Sequence, residues 1–438
     1  MVTMERTTCC VIGGGPAGMM LGLLLARAGV EVTVLEKHGD FLRDFRGDTV
    51  HPSTLDLLDD LGLGERFAAL PQSRLTQVAF PVDGSQTMQV IGDLTKLSRL
   101  RVRHPYIAMV PQWDLLDLLA DAGRAEPTFT LRMDTEVTGL VREHGRVTGV
   151  RYRTTDGNTT EGNTTEGGTT EGGTGELRAD LTVACDGRGS IARAESGLPV
   201  TEYPVPFDTW WFRLPRHPEE TSAALTPRIG DGRFAVIIPR EGYFQIAYMG
   251  RKGTDAQLRA RGVEAFRADV AELIPELTDR MDAITSMDDV KHLDVRLNRL
   301  HRWHTDGLLC IGDAAHAMSP IGGVGINLAV QDAVAAATQL AGPLRAGTLA
   351  ARDVAQVRNR RLLPTILVQG LQRLMHRAIA GPALEGQLDG PPAPIIALMR
   401  RVPAARVIPA YLIGVGFRPE RAPAFARRPA VPAPSTHG

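Results

Sequence analysis

Residues 8–18 read TCCVIGGGPAG, and this stretch decides the fold. Thr8 to Ile12 is a short apolar run, the pattern of a strand covered on both faces in a parallel sheet. Gly13, Gly15 and Gly18 follow with GxGxxG spacing. Met19 to Ala28 then predicts a helix, ended by Gly29. A glycine turn between strand and helix lets backbone N–H groups and the helix N-terminus approach a pyrophosphate. Val30 to Leu35 predicts the second strand, and Glu36 closes it, placed to accept hydrogen bonds from a ribose diol. This unit binds a dinucleotide; by itself it leaves NAD and FAD open.

A second stretch decides between them. Residues 307–332 read GLLCIGDAAHAMSPIGGVGINLAVQD. A buried strand delivers Gly312 and Asp313. A turn rich in proline and glycine follows, and a helix opens near Asn327, running to Leu340. A second close-approach loop ending on a helix N-terminus exceeds what an adenosine half requires. It suits a ribityl chain and a flavin ring, whose reduced form carries negative charge that the helix dipole stabilises. A third motif, Asp186-Gly187-Arg188-Gly189-Ser190 with Arg193, follows the strand LTVAC; alone it reads as a strand-to-helix turn capped by Ser190.

Outward from these motifs, Pro52 to Leu63 and the segment after Pro111 have helical apolar spacing. Glu136 to Tyr152 alternates around His144-Gly145 and predicts a hairpin. Residues 154–175 repeat a unit close to NTTEG with no apolar residue, which predicts an exposed, floppy hairpin loop. Thr201 to Gly250 is strand-rich, with a hairpin at Pro239-Arg240-Glu241-Gly242, and Glu264 to Ile284 is mostly helical. The alternation predicts an α/β fold: a Rossmann-type FAD-binding domain interrupted by a mostly antiparallel β substrate domain, with C-terminal helices. The expected boundaries are 1–75, 101–195 and 288–358 for the FAD unit, and 76–100 with 196–287 for the substrate sheet. Residues 359–427 form the helical segment and 428–438 a disordered tail.

The net charge is −1, so no basic excess points to nucleic acid or an anionic membrane surface. No apolar run reaches the length of a membrane span, and the N-terminus lacks secretory-signal features, which predicts a cytoplasmic protein without stable membrane association. Cys9, Cys10, Cys185 and Cys310 read as buried thiols; no spacing suggests a metal site.

The strings VIGGGPAG with Glu36, CDGRGSIAR and GDAAHAMSPIGGVGIN, in this order, resemble the single-component FAD-dependent aromatic hydroxylases, the para-hydroxybenzoate hydroxylase-like group. RGDTVHPSTLDLLDDLGL and Gln112 in VPQWDLL extend the resemblance over residues 7–420. It implies non-covalent FAD, with NADPH or NADH and O₂ as co-substrates. It also implies hydroxylation of an aromatic or polycyclic small molecule through a flavin C4a-hydroperoxide. By the same resemblance, Gly13, Gly15 and Gly18 contact the pyrophosphate, and Glu36 binds the ribose. Arg46 and Gln112 line the cofactor path, and Asp186 and Gly187 serve FAD and NAD(P)H. Asp313 holds the ribityl chain, Pro320 lies beside the reacting edge, and Gly325, Ile326 and Asn327 face the ring. His51 lies in the segment near the flavin and is a candidate catalytic group.

Alternation across the strand pair Phe234 to Tyr248 places Val236, Ile238 and Arg240 on one face, with Tyr243 and Gln245 across the turn. These five are the candidate substrate residues, with Arg240 nearer the rim. His316 reads as ordering its own turn, and His292, His301 and His304 as surface groups. Trp210-Trp211-Phe212 does not match the WxWxIP string of flavin halogenases. Epoxidation, Baeyer–Villiger oxidation, antibiotic inactivation and O₂-independent flavin reduction remain alternatives on the same scaffold.

Overall fold

The computed structural model describes residues 4–42, 49–81, 88–155, 173–220, 224–230, 232–388 and 393–430. β1 (Met4–Ile12) enters the glycine turn, and α1 (Pro16–Arg27) leaves it. The helix starts earlier than its apolar run because Pro16 suits the first helical position, where no N–H is needed. β2 (Val32–Leu35), α2 (Pro52–Asp60), β3 (Gln77–Pro81), β4 (Met88–Asp93), α3 (Gln112–Arg124) and β5 (Phe129–Arg132) follow. The predicted hairpin is β6 (Thr135–Glu143) and β7 (Arg146–Thr154), turned by His144 and Gly145 at φ 48° and 83°. Next come β8 (Thr174–Ala184), β9 (Phe207–Pro215), β10 (Ala224–Gly230), β11 (Arg233–Pro239), β12 (Tyr243–Arg251), α4 (Gly262–Leu273) and β13 (Lys291–Leu293). The chain continues with β14 (Leu308–Cys310), α5 (Gly325–Ala346), α6 (Ala351–Met375) and α7 (Val407–Gly414).

Two large sheets organise these elements. In the first, β14, β8, β1, β2 and β5 are neighbours in that order and run parallel, with the β6–β7 hairpin hung on β8. α1 is buried along nearly its whole length because the sheet, α3 and α5 enclose it. Its apolar residues therefore form a run rather than a stripe. All four cysteines are buried free thiols in or just after these strands, and burial pushes Cys10 and Cys310 up to about 12.

The second sheet has the order β13–β9–β12–β11–β10–β3–β4. Residues 77–93 thus share a sheet with residues 207–251, more than a hundred positions later. The sheet reaches Leu293, beyond the expected limit at 287, because β13 pairs with Thr209–Trp211. Val200–Tyr203 lies outside it and pairs instead with Leu297–Leu300. One face, carrying Trp210, Phe212, Ile237, Phe244, Ile246 and Tyr248, packs on Phe266, Val270 and Leu273 of α4.

The tail differs from expectation at its start. Arg428 donates its backbone N–H to Asp60 O at 3.2 Å, anchoring residues 428–430 beside α2; residues 431–438 lie outside the described residues. Most of the 154–175 repeat, 156–172, also lies outside them. Among the described residues, no helix is long and apolar enough to cross a membrane.

Candidate functional site

Ile12 is in register with Leu35 on one side and Ala184 on the other, and Ala184 with Cys310. Four neighbouring parallel strands therefore end level. Just past those ends come the glycine turn, Glu36, Asp186–Gly187 and Gly312–Asp313. The crevice beyond the carboxyl ends of parallel strands is where such sheets bind ligands. α1 points its N-terminus there.

The three glycines divide their work. A Cβ on Gly13, at φ +97°, would sit 2.7 Å from Cys185 O, and one on Gly18 would sit 1.9 Å from Gly13 O. Those two allow the strands and α1 to approach each other. For Gly13 and Gly18 this packing is a demand beside the expected pyrophosphate contact. A Cβ on Gly15 meets nothing within 4 Å, and the same holds for Gly187 and Gly189. Gly15, at the N-cap of α1, leaves open space where an anion fits.

Glu36 is buried against the turn: its Oε2 accepts Gly14 N–H at 2.7 Å and its Oε1 accepts His38 N–H at 3.1 Å. Asp186 Oδ2 accepts Ile191 N–H at 2.9 Å, while its buried Oδ1 has no partner among the described residues. Burial raises its pKa above the ordinary carboxyl range. The orphaned oxygen, the open glycines and the helix N-terminus together fit a dinucleotide such as FAD.

Two arginines join the second and third motifs. Arg188 Nε donates to Asp313 Oδ2 at 3.3 Å, and Arg193 Nη1 reaches the carbonyls of Asp313 and Ala314, both at 3.3 Å. The turn itself is fixed from α5. Asp332 Oδ2 accepts from Gly312 N–H at 3.1 Å and from His316 Nε2 at 2.6 Å; its Oδ1 accepts from Arg361 Nε at 3.0 Å. His316 thus braces the turn against α5, as a structural group. Asp332 and Arg361 escaped the sequence reading; the one signal was a Gln-Asp pair inside an otherwise apolar helix.

Residues 319–323 are held from outside. Gln372 Nε2 donates to Ser319 O and Ile321 O at 2.9 Å, and His376 Nε2 lies 2.9 Å from Ser319 Oγ. Gly322 and Gly323 take φ of 85° and 62°, a left-handed path that lets Gly323 N–H bond Pro320 O at 2.9 Å. Gly325, Ile326 and Asn327 form the first turn of α5, where N–H groups lack intrahelical acceptors. The Asn327 side chain is spent on α2, accepting from Ser53 Oγ and Thr54 Oγ1 at 2.9 and 2.7 Å. Gln112 opens α3 and is half-buried; Arg46 lies outside the described residues.

His51 requires correction. It is fully buried, with Nε2 2.9 Å from Gly323 O and Nδ1 2.9 Å from Ile413 O. Burial pushes its pKa down to about 4, only partly offset by the two carbonyls. Wedged between two backbone carbonyls, of which a neutral imidazole donates to one, the ring positions the loop and is not a catalytic group. His292 is likewise not a plain surface group: half-buried, it lies over Trp210 at 5.4 Å between ring centres.

On the second sheet Ile238 pairs with Gln245 and Val236 with Ala247, so Val236, Ile238, Arg240, Tyr243 and Gln245 share one face. It is the face away from α4. Ile238 packs with Leu75, Ile107 and Met109 and with Ala410 and Val415 from the C-terminal segment. Arg240 is not at the rim: it is 2% exposed, and its Nε donates to Gln245 Oε1 at 3.0 Å. Arg213 lies 4.6 Å over the Tyr243 ring. A cavity of about 140 Å³ lined by Glu220, Arg228, Ile237 and Phe244 opens on the opposite face. Among the described residues no group of three or more His, Cys, Asp or Glu is placed to hold a metal.

A family described as FAD binding domain matches residues 6–356. The chain is 33% identical to 6-methylpretetramide 4-monooxygenase of Streptomyces rimosus, over 92% of this chain and 91% of that protein. It is 27% identical to rifampicin monooxygenase of Streptomyces venezuelae, over 74% of this chain and 61% of that longer protein. Its fold is similar to the OxyS anhydrotetracycline hydroxylase of Streptomyces rimosus, with a TM-score of 0.70 at 23% identity. That match covers 96% of this chain and 77% of the other. It is also similar to p-nitrophenol 4-monooxygenase PnpA of Pseudomonas putida, with a TM-score of 0.70 at 20% identity. Here 95% of this chain and all of the other are covered.

Proposed function

This chain belongs to the FAD-binding family of flavoprotein monooxygenases, and from that premise we propose that it hydroxylates a polycyclic aromatic small molecule with NADPH or NADH and O₂. The carrying observation is the row of four level strand ends, with Gly15, Asp186 and Asp313 around one crevice. The near full-length similarity to a monooxygenase named for a polycyclic substrate supports the substrate class.

Bound FAD would supply the redox chemistry, with two electrons from NAD(P)H, one atom of O₂ going to the substrate and the other leaving as water. The chain supplies position and environment. The N-terminus of α1 and Gly15 would hold the pyrophosphate, and Glu36, whose oxygens also accept Gly14 and His38 N–H, would take the ribose. Gln112 would line the path, Asp186 and Gly187 would offer a buried acceptor and open backbone, and Asp313 would take the ribityl hydroxyls. Pro320 and the first-turn N–H groups of Gly325 to Asn327 would hold the flavin ring, the helix N-terminus favouring negative charge on it.

The substrate lies against the second sheet, which we read with residues 77–93 as the substrate unit. Val236 and Ile238 exclude water. Arg240 holds Gln245 Oε1, which orients the amide so that Nε2 donates to a phenol or carbonyl oxygen. Tyr243 adds a second polar contact at the edge. We place this enzyme in the cytoplasm, where NAD(P)H is supplied.

The test is to add polycyclic phenols to the FAD-loaded protein and follow O₂ and NAD(P)H together. Equimolar consumption and a product heavier by one oxygen are expected. NAD(P)H oxidation that proceeds without O₂ and reduces the substrate would replace this reading with a flavin reductase.

A further inference from the structure

Trp211 stands on β9 with its side chain on the same face as Val236, since Trp211 is in register with Ala247 and Ala247 with Val236. Only the methyl of Ala247 separates the two on that row. Trp211 and Val236 both pack against the cluster around Ile238 and against the cluster that Ile321 of the Pro320 loop joins. The indole thus lies where the sheet face meets that loop.

Its Nε1–H is buried and has no acceptor among the described residues. The neighbouring Trp210 shows what a structural indole does in this strand: on the other face, its Nε1 donates to Asp255 Oδ1 at 2.7 Å. Trp303 Nε1 also lacks an acceptor, but that residue is sealed in the core against His316, out of a ligand's reach. Trp211 is partly exposed. A buried N–H left unpaired costs free energy that a bound oxygen recovers.

We propose that Trp211 is a specificity-determining residue whose Nε1–H donates a hydrogen bond to a carbonyl or phenol oxygen of the polycyclic substrate. The proposal rests on the reading of this face as the substrate wall. Trp211 and Gln245 then supply two donors, with Val236 and Ile238 as the apolar surface. A site built to pair a substrate oxygen rejects the ring system that lacks it, because the N–H is then stranded.

The test uses FAD-loaded protein with ¹⁵N-labelled indoles. The chain has 4 tryptophans, so four side-chain resonances are expected, and Trp211→Phe identifies one by its loss. The probes are 1,8-dihydroxyanthraquinone, which carries the oxygens, and anthracene, which does not. The dihydroxyanthraquinone should move the Trp211 resonance downfield. Trp211→Phe should weaken its binding about 5- to 10-fold, leave anthracene binding within about 2-fold, and retain FAD. An unmoved Trp211 resonance, an equal loss for both probes, or no uptake of the oxygenated probe by the native protein would overturn the proposal. Ile238→Trp separates the two readings. If it blocks the probe while Trp211→Phe does not, the wall stands and the donor falls; if neither variant matters, both fall.

Discussion

His316 Nε2 lies 2.6 Å from Asp332 Oδ2, and neither side chain reaches solvent. Asp332 is the common acceptor for an imidazole, the Arg361 guanidinium and the Gly312 N–H. Arg361 Nη1 in turn lies 3.5 Å from Glu420 Oε1, so one buried charge network runs from the Gly312 turn to the C-terminal segment. Burial alone would raise the Asp332 carboxyl, but His316 and Arg361 hold it below the ordinary range.

Asp332→Asn should therefore strand Arg361 without a full counter-charge and loosen Gly312. Breaking a buried pair from one side costs about 3–5 kcal/mol. A clear fall in melting temperature and at least about tenfold weaker FAD retention are expected. Because the folded carboxyl titrates below its unfolded value, its contribution is present above about pH 4 and lost as pH falls through the folded value. Acid unfolding below pH 4 should be shallower in the variant. Thermal melts and FAD titrations across pH check both; native stability and affinity in Asp332→Asn would remove the network from the site.

His51 gives the opposite side of the acid range. Its folded pKa, about 4, is below the unfolded value of about 6.5, so the neutral ring stabilises fully above pH 6.5. That stability declines as pH falls from 6.5 towards 4, by up to about 3 kcal/mol. His376, pushed down to about 4 by burial, acts in the same direction. His51→Gln keeps a donor for the carbonyls without the titration, and should flatten the melting-temperature slope over this range by roughly half. Equal slopes in the two proteins would show that His51 does not carry it.

Gly15 and Gly18 should fail differently. Gly15→Val places its Cβ in open space, so the apoprotein should fold and melt nearly as the native chain does, while FAD is lost. Gly18→Ala puts a methyl 1.9 Å from Gly13 O and should destabilise the fold itself. Visible absorbance and circular dichroism separate the outcomes. Full FAD occupancy in Gly15→Val would displace the pyrophosphate from this turn.

Ile238→Trp should raise KM several-fold or divert NAD(P)H oxidation into peroxide, with FAD still bound. Part of the cost will be local, since Ile238 also packs on Leu75 and Ala410. Peroxide yield per NAD(P)H, measured with the native substrate, is the readout. Native turnover with tight coupling would move the pocket off this face.

Replacing residues 156–172 by a short glycine turn should leave activity within about twofold. Thr154 N–H already bonds Gly173 O at 2.8 Å, so the ends of the segment meet without it. Loop-closure entropy changes slowly with length, and melting temperature should shift little or rise. A large loss of activity would assign the repeat a function.

By itself the sequence determined the features set by local sterics and by period. Gly13 and Gly18 are glycines because the turn and the strand–helix contact leave no room for a Cβ, and that constraint is written in those two positions. Alternation along β11 and β12 fixed which residues share a face, since a strand offers two faces only. Tertiary structure alone decided what those faces and turns meet. Arg240 looked like a rim residue and is buried on Gln245. His51 looked catalytic and is clamped between Gly323 and Ile413. Residues 77–93 joined a sheet made mostly of residues beyond 200, and Arg361 arrived at Asp332, and Glu420 at Arg361, from distant segments. Such contacts depend on how the elements pack and not on any local pattern, because a residue's spacing reports its own face and says nothing of the group that covers it.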